Sequence, residues 1–329
     1  MTDNLRLIPY APAYAGRWNA LVHASKNGTF LFDRQYMDYH SDRFEDASLV
    51  ALDGSGDDNI IAVLPANLGR ERDGDWLFSH GGLSYGGWVT DARMTTPVML
   101  RLFDLLKAWA QSRGVVNIRY KAVPRIYHRL PSDEDLYALF VHDAVLTRVD
   151  LGSVIDLTRP LAWSKGKRQS LAKAQRTGVQ VRQASEFGPF INLLTEALAR
   201  HGARPVHTVA ELELLAARFP GNIALHQAYL PSQEGEQLLA AVLVFDCGPT
   251  VHTQYMASSA RGREVGALDA IIHHLQTDVY ATRKALSFGI STESEGRVLN
   301  RGLISQKEMF GGRAMAHMFY DLRIAPATA

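Results

Sequence analysis

The sequence predicts a mixed α+β fold that is built twice along the chain. Segments of strand length, rich in β-branched and aromatic residues, alternate with helix-length segments whose apolar residues recur at helical spacing. The order of these elements in the first half returns in the second half at an offset of roughly 170 to 178 residues. The chain has 329 residues, of which 47% are hydrophobic, so it can bury two cores. We therefore expect two domains, at residues 1–150 and 151–329.

Each predicted element rests on a local pattern. Residues 97–113 carry Phe103 and Leu106 at helical spacing, and Gly114 follows as a typical helix end. The loops at residues 54–59 and 231–236 are rich in Gly, Ser and acidic residues and predict hairpin connections. The predicted helices span residues 15–24, 33–40, 97–113, 187–200, 209–218 and 266–282, and the predicted strands span residues 48–52, 60–67, 76–79, 115–120, 222–229, 237–246, 251–258 and 286–290.

Composition limits the class of protein. The single cysteine, Cys247, excludes an intramolecular disulfide and a cysteine-based zinc site and fits a reducing compartment; no metal is expected. The N-terminal residues lack the basic start and apolar run of a secretion signal. Apolar stretches such as residues 238–245 are far shorter than the about 20 residues of a membrane span. The net charge of +1 gives no general attraction to nucleic acid, so we expect a cytoplasmic protein with a small-molecule partner.

Residues 251–276 pass from a predicted strand through a glycine-bearing turn directly into a predicted helix. The backbone N–H groups at the start of such a helix point at one place, where the helix dipole also favours negative charge. Arg261 and Arg263 add positive charge beside these groups, which suits a phosphate or pyrophosphate. The alternative is that the glycines only shape the loop and the arginines are solvated.

The region between the two halves, residues 158–182, is strongly basic. Its apolar and alanine positions predict a helix that ends at Gly178. Because no acid lies among its cations, the pattern predicts an anionic partner such as a phosphate-rich substrate, and the alternative is a solvated helix face. The cations are Lys165, Lys167, Arg168, Lys173, Arg176 and Arg182.

The order of the predicted elements resembles the GNAT acyltransferase fold, and its duplication resembles the Fem-type peptidyltransferases of bacterial cell-envelope biosynthesis. The resemblance covers nearly the whole chain and implies two tandem GNAT-like domains, each a mostly antiparallel mixed sheet flanked by helices. Its local carriers are KAQRTGV at residues 173–179, similar to the Fem-type basic linker, and FGIS at 288–291 with GLISQKEMFGG at 302–312. Residues 39–44, 79–87 and 205–208 resemble a bacterial subgroup of GNAT-like proteins associated with surface polysaccharide synthesis.

For the second domain, the resemblance implies an acyl-CoA, with acetyl-CoA as the expected co-substrate. GNAT enzymes bind its pyrophosphate at a turn with the pattern Gln/Arg-x-x-Gly-x-Gly/Ala. Residues 263–268 keep the Arg and the first Gly but have Leu268 in place of the last small residue. The expected donor-binding residues are Ser258, Arg261, Gly262, Arg263, Val265, Gly266 and Ala267.

Acyl transfer to an amine requires a base for the amine and an acid for the leaving group. Side chains alternate along residues 251–258, so His252 and Tyr255 face opposite sides, and either side can be the cleft. The resemblance implies Tyr255 as the acid, and His252 is the base if the other face is open. His207 is the preferred base because an imidazole pKa of about 6.5 suits proton abstraction at neutral pH. The alternative is that its loop only starts a helix, since Thr208 and Glu211 have capping-box spacing.

The acceptor is expected in the groove between the two domains. The stretch of residues 80–87 contains four glycines, which allow a close approach of backbone to ligand. Fem-type relatives have a lysine near the acceptor's phosphates, a role that the resemblance implies for Lys307. The other expected acceptor-binding residues are Tyr39, His40, Asp42, Arg43, His80 and Tyr85.

The predicted reaction is N-acylation, in which acetyl-CoA supplies the acyl group to the amine of a free or nucleotide-linked amino sugar during envelope polysaccharide synthesis. The first alternative is an aminoacyl-tRNA-dependent Fem-type transferase, which uses the basic helix for RNA phosphates; the small net charge argues against it. The second alternative is a non-catalytic binding protein with a decayed cleft.

Overall fold

The computed structural model describes residues 4–54, 59–200, 202–232 and 235–326, so parts of both predicted hairpin loops lie outside the described residues. The described residues form two compact units. One unit draws on Met1–Asp150, Ser294–Arg297 and Ala316–Ala329, and the other on Leu151–Glu293 and Val298–Met315. None of the helices in the described ranges is long and apolar enough to cross a membrane.

The helices and strands follow one another along the chain in the order that a mixed fold requires. The helices are α1 (Ala15–Ala24), α2 (Arg34–Met37), α3 (Thr96–Ser112), α4 (Glu134–Val141), α5 (Lys165–Thr177), α6 (Phe187–Ala199), α7 (Val209–Arg218), α8 (Ala260–Val265), α9 (Ala267–His274) and α10 (Arg301–Met309). The strands are β1 (Leu5–Pro9), β2 (Glu45–Asp46), β3 (Leu49–Asp53), β4 (Asn59–Leu64), β5 (Asn67–Glu71), β6 (Gly74–Phe78), β7 (Val89–Thr90), β8 (Val115–Lys121), β9 (Val145–Asp156), β10 (Gln180–Ala184), β11 (Ile223–Ser232), β12 (Gly235–Asp246), β13 (Thr250–Ser258), β14 (Ala285–Ile290), β15 (Thr292–Glu293), β16 (Val298–Leu299) and β17 (Arg313–Arg323).

The first unit contains a four-stranded antiparallel sheet in the order β1-β3-β4-β7 and a second series in the order β2-β5-β6-β8-β17. In the second series, β6 and β8 are parallel, and the other pairs are antiparallel. Residues 319–323 of β17 pair with β8, which brings the end of the chain into the first unit, whereas the predicted boundary put it in the second domain. Helix α3 covers this core with Met99, Leu102, Phe103, Leu106 and Ala110.

The second unit contains the strand order β10-β11-β12-β13-β14-β9. Its pairs are antiparallel except for β13 with β14, which run parallel because α8 and α9 carry the chain back between them. Helix α6 packs on β13, and α9 packs on β11 and β12. The core of this unit includes Val242, Val244, Val251, Ile271, Ile272, Leu275 and Leu286, all almost wholly buried.

Helices whose ends depend on neighbouring residues have the bounds that the sequence predicts. Helices α1 and α7 have the predicted bounds, and α5 ends at Gly178, which takes the left-handed conformation with φ 82°. The predicted strand at residues 60–67 is wrong in one respect, because Pro65 separates it into β4 and β5; proline has no N–H for a sheet ladder. Helix α4 and strands β1, β9, β10 and β17 have no counterpart among the predicted elements.

Candidate active site

Strands β13 and β14 part in the middle of the second unit. They pair over three positions, which end at His252 opposite Ser287. Beyond this point β14 bends, since its register with β9 shifts between Ser287 and Ile290 and Gly289 takes a φ of +68°. The pairing of the two strands therefore ends at His252 and Ser287, where the predicted fold has these strands part.

His207 meets Tyr255, which follows His252 on β13, although 48 positions separate His207 and Tyr255 in the chain. Nδ1 of His207 lies 2.7 Å from the Tyr255 hydroxyl, a hydrogen-bond distance, and the two rings are edge to face. The His207 side chain is buried, with 6% of the residue exposed. Burial raises the pKa of the Tyr255 phenol, so the hydroxyl keeps its proton at neutral pH. An acid and a base are thereby placed in direct contact.

The loop that carries His207 also starts α7. The Thr208 hydroxyl accepts from the Glu211 amide at 3.2 Å, and a Glu211 carboxylate oxygen accepts from the Thr208 amide at 2.7 Å. The predicted capping box is therefore confirmed. It does not exclude a chemical role for His207, because the capping groups are separate from the imidazole and hold the loop in which it lies.

His252 contacts a different partner. Its Nδ1 lies 3.3 Å from the Ser287 hydroxyl oxygen, and a Cβ placed on Gly289 would be 3.1 Å from the imidazole Cε1. A β-bulge between β12 and β13 leaves Gln254 without an opposed residue, so the strict alternation assumed for residues 251–258 is interrupted. The structure thus pairs His207 with Tyr255 and sets His252 against the bend of β14.

The segment expected to form a pyrophosphate turn is helical. Ser259 caps α8 by accepting from the Gly262 amide at 3.0 Å, and Gly266, with φ +78°, joins α8 to α9. The predicted turn is therefore wrong, because its residues form α8, whereas most of the predicted helix 266–282 is present as α9 and the π-helical turn Leu275–Val279 that continues it. Gly262 allows α8 to pack on β12, because a Cβ there would lie 2.1 Å from the Leu239 carbonyl oxygen.

Helix α5 covers the start of α9. The two helices run antiparallel, with the Trp163 indole donating to Gln276 at 3.1 Å and the Lys167 ammonium 3.0 Å from Asp269. A Cβ on Gly266 would lie 2.4 Å from the Ser170 carbonyl oxygen. Backbone of α5 therefore packs directly against Gly266 at the start of α9, which argues against a pyrophosphate at this position.

The predicted cations divide into paired and unpaired groups. Lys167 pairs with buried Asp269, and Arg182 pairs with Glu236 at 2.5 Å. Arg261 pairs with Glu264 at 3.0 Å, and Arg263 donates to the Ser258 carbonyl at 2.8 Å. The exposed cations of α5 form no ion pair with an acid in the described part of the chain; they are Lys165, Arg168, Lys173 and Arg176.

Lys307 is buried in the second unit, with 3% of the residue exposed. From α10 its ammonium donates to the Gly289 carbonyl at 3.0 Å, the Ile290 carbonyl at 2.6 Å and the Ser291 hydroxyl oxygen at 2.8 Å. Burial lowers its pKa to about 8. All three N–H bonds are used within the protein. Lys307 therefore holds the bend of β14, and this arrangement leaves no N–H for the acceptor's phosphates.

The first-unit residues expected to bind the acceptor form a packed cluster of rings. The rings of His40 and His80 stack at 5.3 Å, and that of Tyr39 lies 4.4 Å from that of His40. Burial lowers the pKa of His80 to about 3, so this imidazole is neutral. The Tyr85 hydroxyl lies 3.2 Å from the Thr29 hydroxyl. In contrast, Asp42 and Arg43 are exposed, 3.7 Å apart.

Ser287 and Gly289, which lie at the bend of β14, were not among the predicted site residues. A glycine within a predicted strand is the signal that marks such a bend. In the described ranges, no group of three or more His, Cys, Asp or Glu residues is placed to hold a metal ion.

No family model and no curated protein matches the chain. Solved structures match its fold over nearly the whole length. FemX aligns with a TM-score of 0.71, at 11% identity over 97% of each chain. L-PGS from Bacillus licheniformis aligns with a TM-score of 0.59, at 14% identity over 97% of this chain and 94% of that chain. A tandem GNAT protein from the clavulanic acid biosynthesis pathway aligns with a TM-score of 0.52, at 12% identity over 98% and 100%.

These likenesses establish a GNAT/Fem-like fold for the chain and confirm the predicted fold class. Identities this low concern the fold alone. Substrate and mechanism must be argued from the side chains of the site.

Proposed function

We propose that the chain is an N-acyltransferase whose chemistry takes place where β13 and β14 part. The contact between His207 and Tyr255 supports this proposal most directly. The imidazole of His207 and the protonated phenol of Tyr255 are of the types that serve as base and acid in acyl transfer to an amine, and Tyr255 lies on β13 beyond the end of its pairing with β14.

Each proton has a path in this arrangement. As the amine nitrogen bonds to the acyl carbon, His207 removes a proton from the nitrogen. As the bond from the acyl carbon to its carrier breaks, Tyr255 gives its proton to the departing group. With Nε2 of His207 as the base, the proton that then reaches the Tyr255 oxygen across the 2.7 Å hydrogen bond is the one on Nδ1. Tyr255 is thereby restored, and proton exchange with solvent returns the imidazole from its Nε2–H to its Nδ1–H tautomer.

Two candidates exist for the acyl donor and the acceptor. The first is the predicted transfer of an acetyl group from acetyl-CoA to an amino sugar in envelope polysaccharide synthesis. Arg261 and Arg263 remain exposed on α8, which supports an anionic donor. The covered head of α9 argues against a coenzyme A pyrophosphate at Gly266, so no step is assigned to that group.

The second candidate is aminoacyl transfer of the Fem type, and a specific observation favours it. Helix α5 presents Lys165, Arg168, Lys173 and Arg176 to solvent without acidic partners in the described part of the chain. Such a face suits the phosphates of a long polyanion such as tRNA. The likeness to the FemX fold is compatible with this candidate.

A donor assay separates these candidates. Purified chain is incubated with a panel of amino sugars and nucleotide-linked amino sugars, and with either acetyl-CoA or aminoacyl-tRNA. Thiol release with acetyl-CoA supports the first candidate, and loss of the aminoacyl group from tRNA to the acceptor supports the second. Calorimetry with both donors accompanies the assay; no product and no heat with either would favour the non-catalytic alternative.

The role of His207 is tested with the donor that gives product. We expect His207→Ala to reduce turnover by at least about tenfold while donor affinity stays nearly constant. Tyr255→Phe should give a similar loss, and the double variant should lose little more, because the two side chains act as a unit. His252→Ala is the matched control. A loss confined to His252→Ala would transfer the role of base to that residue.

A further inference from the structure

Lys121 ends β8 and contacts the glycine-rich loop of the first unit, residues 80–87. Its backbone amide donates to the Ser79 hydroxyl oxygen at 2.6 Å, and its carbonyl accepts from the Gly86 amide at 2.8 Å. Its ammonium donates to the Leu83 carbonyl at 2.5 Å. Lys121 therefore sits where both ends of the loop meet the sheet, and it remains partly exposed.

The hydrogen bonding of Lys121 differs from that of the other inward-facing lysines. Lys26 pairs with Glu134, Lys167 pairs with Asp269, and Lys307 donates to three protein oxygens. Lys121 donates to a single carbonyl, and no acid in the described ranges pairs with it. An ammonium has three N–H bonds, so two of those on Lys121 lack a protein acceptor. Leaving such donors inside a protein is unfavourable unless a ligand or solvent accepts from them.

The charged groups around Lys121 also disfavour its ammonium form. The Arg148 guanidinium is bound to Asp150 at 2.7 Å, so that carboxylate is already used. Burial first, and the Arg148 charge second, lower the pKa of Lys121 to about 7. His80, on the same loop, is neutral. Burial and the Arg148 charge therefore disfavour the charged form of Lys121, and no acid in the described ranges pairs with it, which is the condition that an anionic ligand would relieve.

We propose that Lys121 is an anion-binding residue of the first unit and takes the phosphate or carboxylate group of a small-molecule ligand. Anionic oxygens would accept from the two unused N–H bonds and favour the charged form of the lysine. Phosphate and carboxylate share this chemistry, and the experiment below distinguishes them.

The proposal is tested by trace acetylation of the full chain with acetic anhydride at pH 8, with the labelled lysines quantified by mass spectrometry. Only the uncharged amine reacts, so a bound anion should reduce labelling of Lys121 by at least about threefold. One sample contains pyrophosphate, one contains malonate, and the reference contains chloride at equal ionic strength. Exposed Lys284 is the matched control and should not change.

Protection of Lys121 by pyrophosphate alone identifies a phosphate site, and protection by malonate alone identifies a carboxylate site. Unchanged labelling of Lys121 with both anions would overturn the proposal, as would protection confined to Lys165 and Lys173 of α5. These measurements require no acyl transfer, so a failure of the proposed function leaves them interpretable.

Two variants extend the test. Lys121→Arg should keep the stabilisation of the chain by the protecting anion, measured as an increase in Tm, and Lys121→Met should lose it.

Discussion

Each unit contains a parallel strand pair, and the two pairs end differently. In the first unit, β6 and β8 pair over four positions, and contacts continue beyond β6, where the Ser79 amide donates to the Arg119 carbonyl at 2.9 Å. The loop then returns to the same strand through Gly86 and Lys121. In the second unit, β13 and β14 pair over three positions and then separate.

The difference comes from the chain that follows the first strand of each pair. After β6, a glycine-rich loop lies along β8 and closes the space with its own backbone. After β13, Ser259 starts α8, which leads the chain away from β14. The two parallel pairs therefore end differently: contacts continue from β6–β8 into the loop, whereas those of β13–β14 stop at His252 and Ser287, next to the proposed reaction site.

The largest expected effect on stability comes from adding a methyl group at the glycine near the end of each parallel pair, Gly86 and Gly289. In Gly86→Ala, the new Cβ would lie 1.8 Å from the Ser79 carbonyl oxygen, and we expect unfolding free energy to fall by about 3 kcal/mol or more. In Gly289→Ala, the nearest atom is Cε1 of His252 at 3.1 Å, and the positive φ should cost about 1–2 kcal/mol. Urea unfolding measures both.

Gly178→Ala is the control for backbone strain, because its φ is +82° and nothing lies within 4 Å of the added Cβ. It should resemble Gly289→Ala. Equal losses for Gly86→Ala and Gly289→Ala would contradict the difference between the two pairs.

A second comparison concerns the lysine beside each strand pair. Lys307→Met leaves the Gly289 and Ile290 carbonyls without their donor and should reduce the unfolding free energy by about 2–3 kcal/mol. Lys121→Met removes one hydrogen bond and should cost less than about 1 kcal/mol. Denaturant unfolding of both variants at pH 7 checks this ranking, and a reversed order would show that Lys307 does not hold the bend.

A further expected effect is a dependence of stability on pH. The pKa of Lys307 is about 8 in the folded chain, against 10.5 for an exposed lysine. Between these values the unfolded chain binds more protons at this site, so its contribution makes stability rise with pH. We expect unfolding free energy measured from pH 7 to 10 to rise less in Lys307→Met than in the unaltered chain. Parallel curves would contradict a buried, proton-shedding Lys307.

Much of the fold was predictable because the deciding contacts are local. Thr208 and Glu211 start α7 across three positions, and Gly178 ends α5 because it takes a left-handed φ. The strand at residues 251–258 follows from its own side chains. The helical path of residues 260–265 was missed because it depends on how closely Gly262 can approach Leu239 of β12.

The candidate site divides in the same way. The sequence by itself determined the fold class, most helix ends and the chemical types of His207, Tyr255 and Lys307, since these depend on residue identity and short-range patterns. Only the tertiary structure decided that His207 meets Tyr255, that Ser170 of α5 fills the head of α9 and that Lys307 is buried. These outcomes depend on packing between segments distant in sequence, where the approach of a few atoms decides whether a group binds a ligand or another part of the protein.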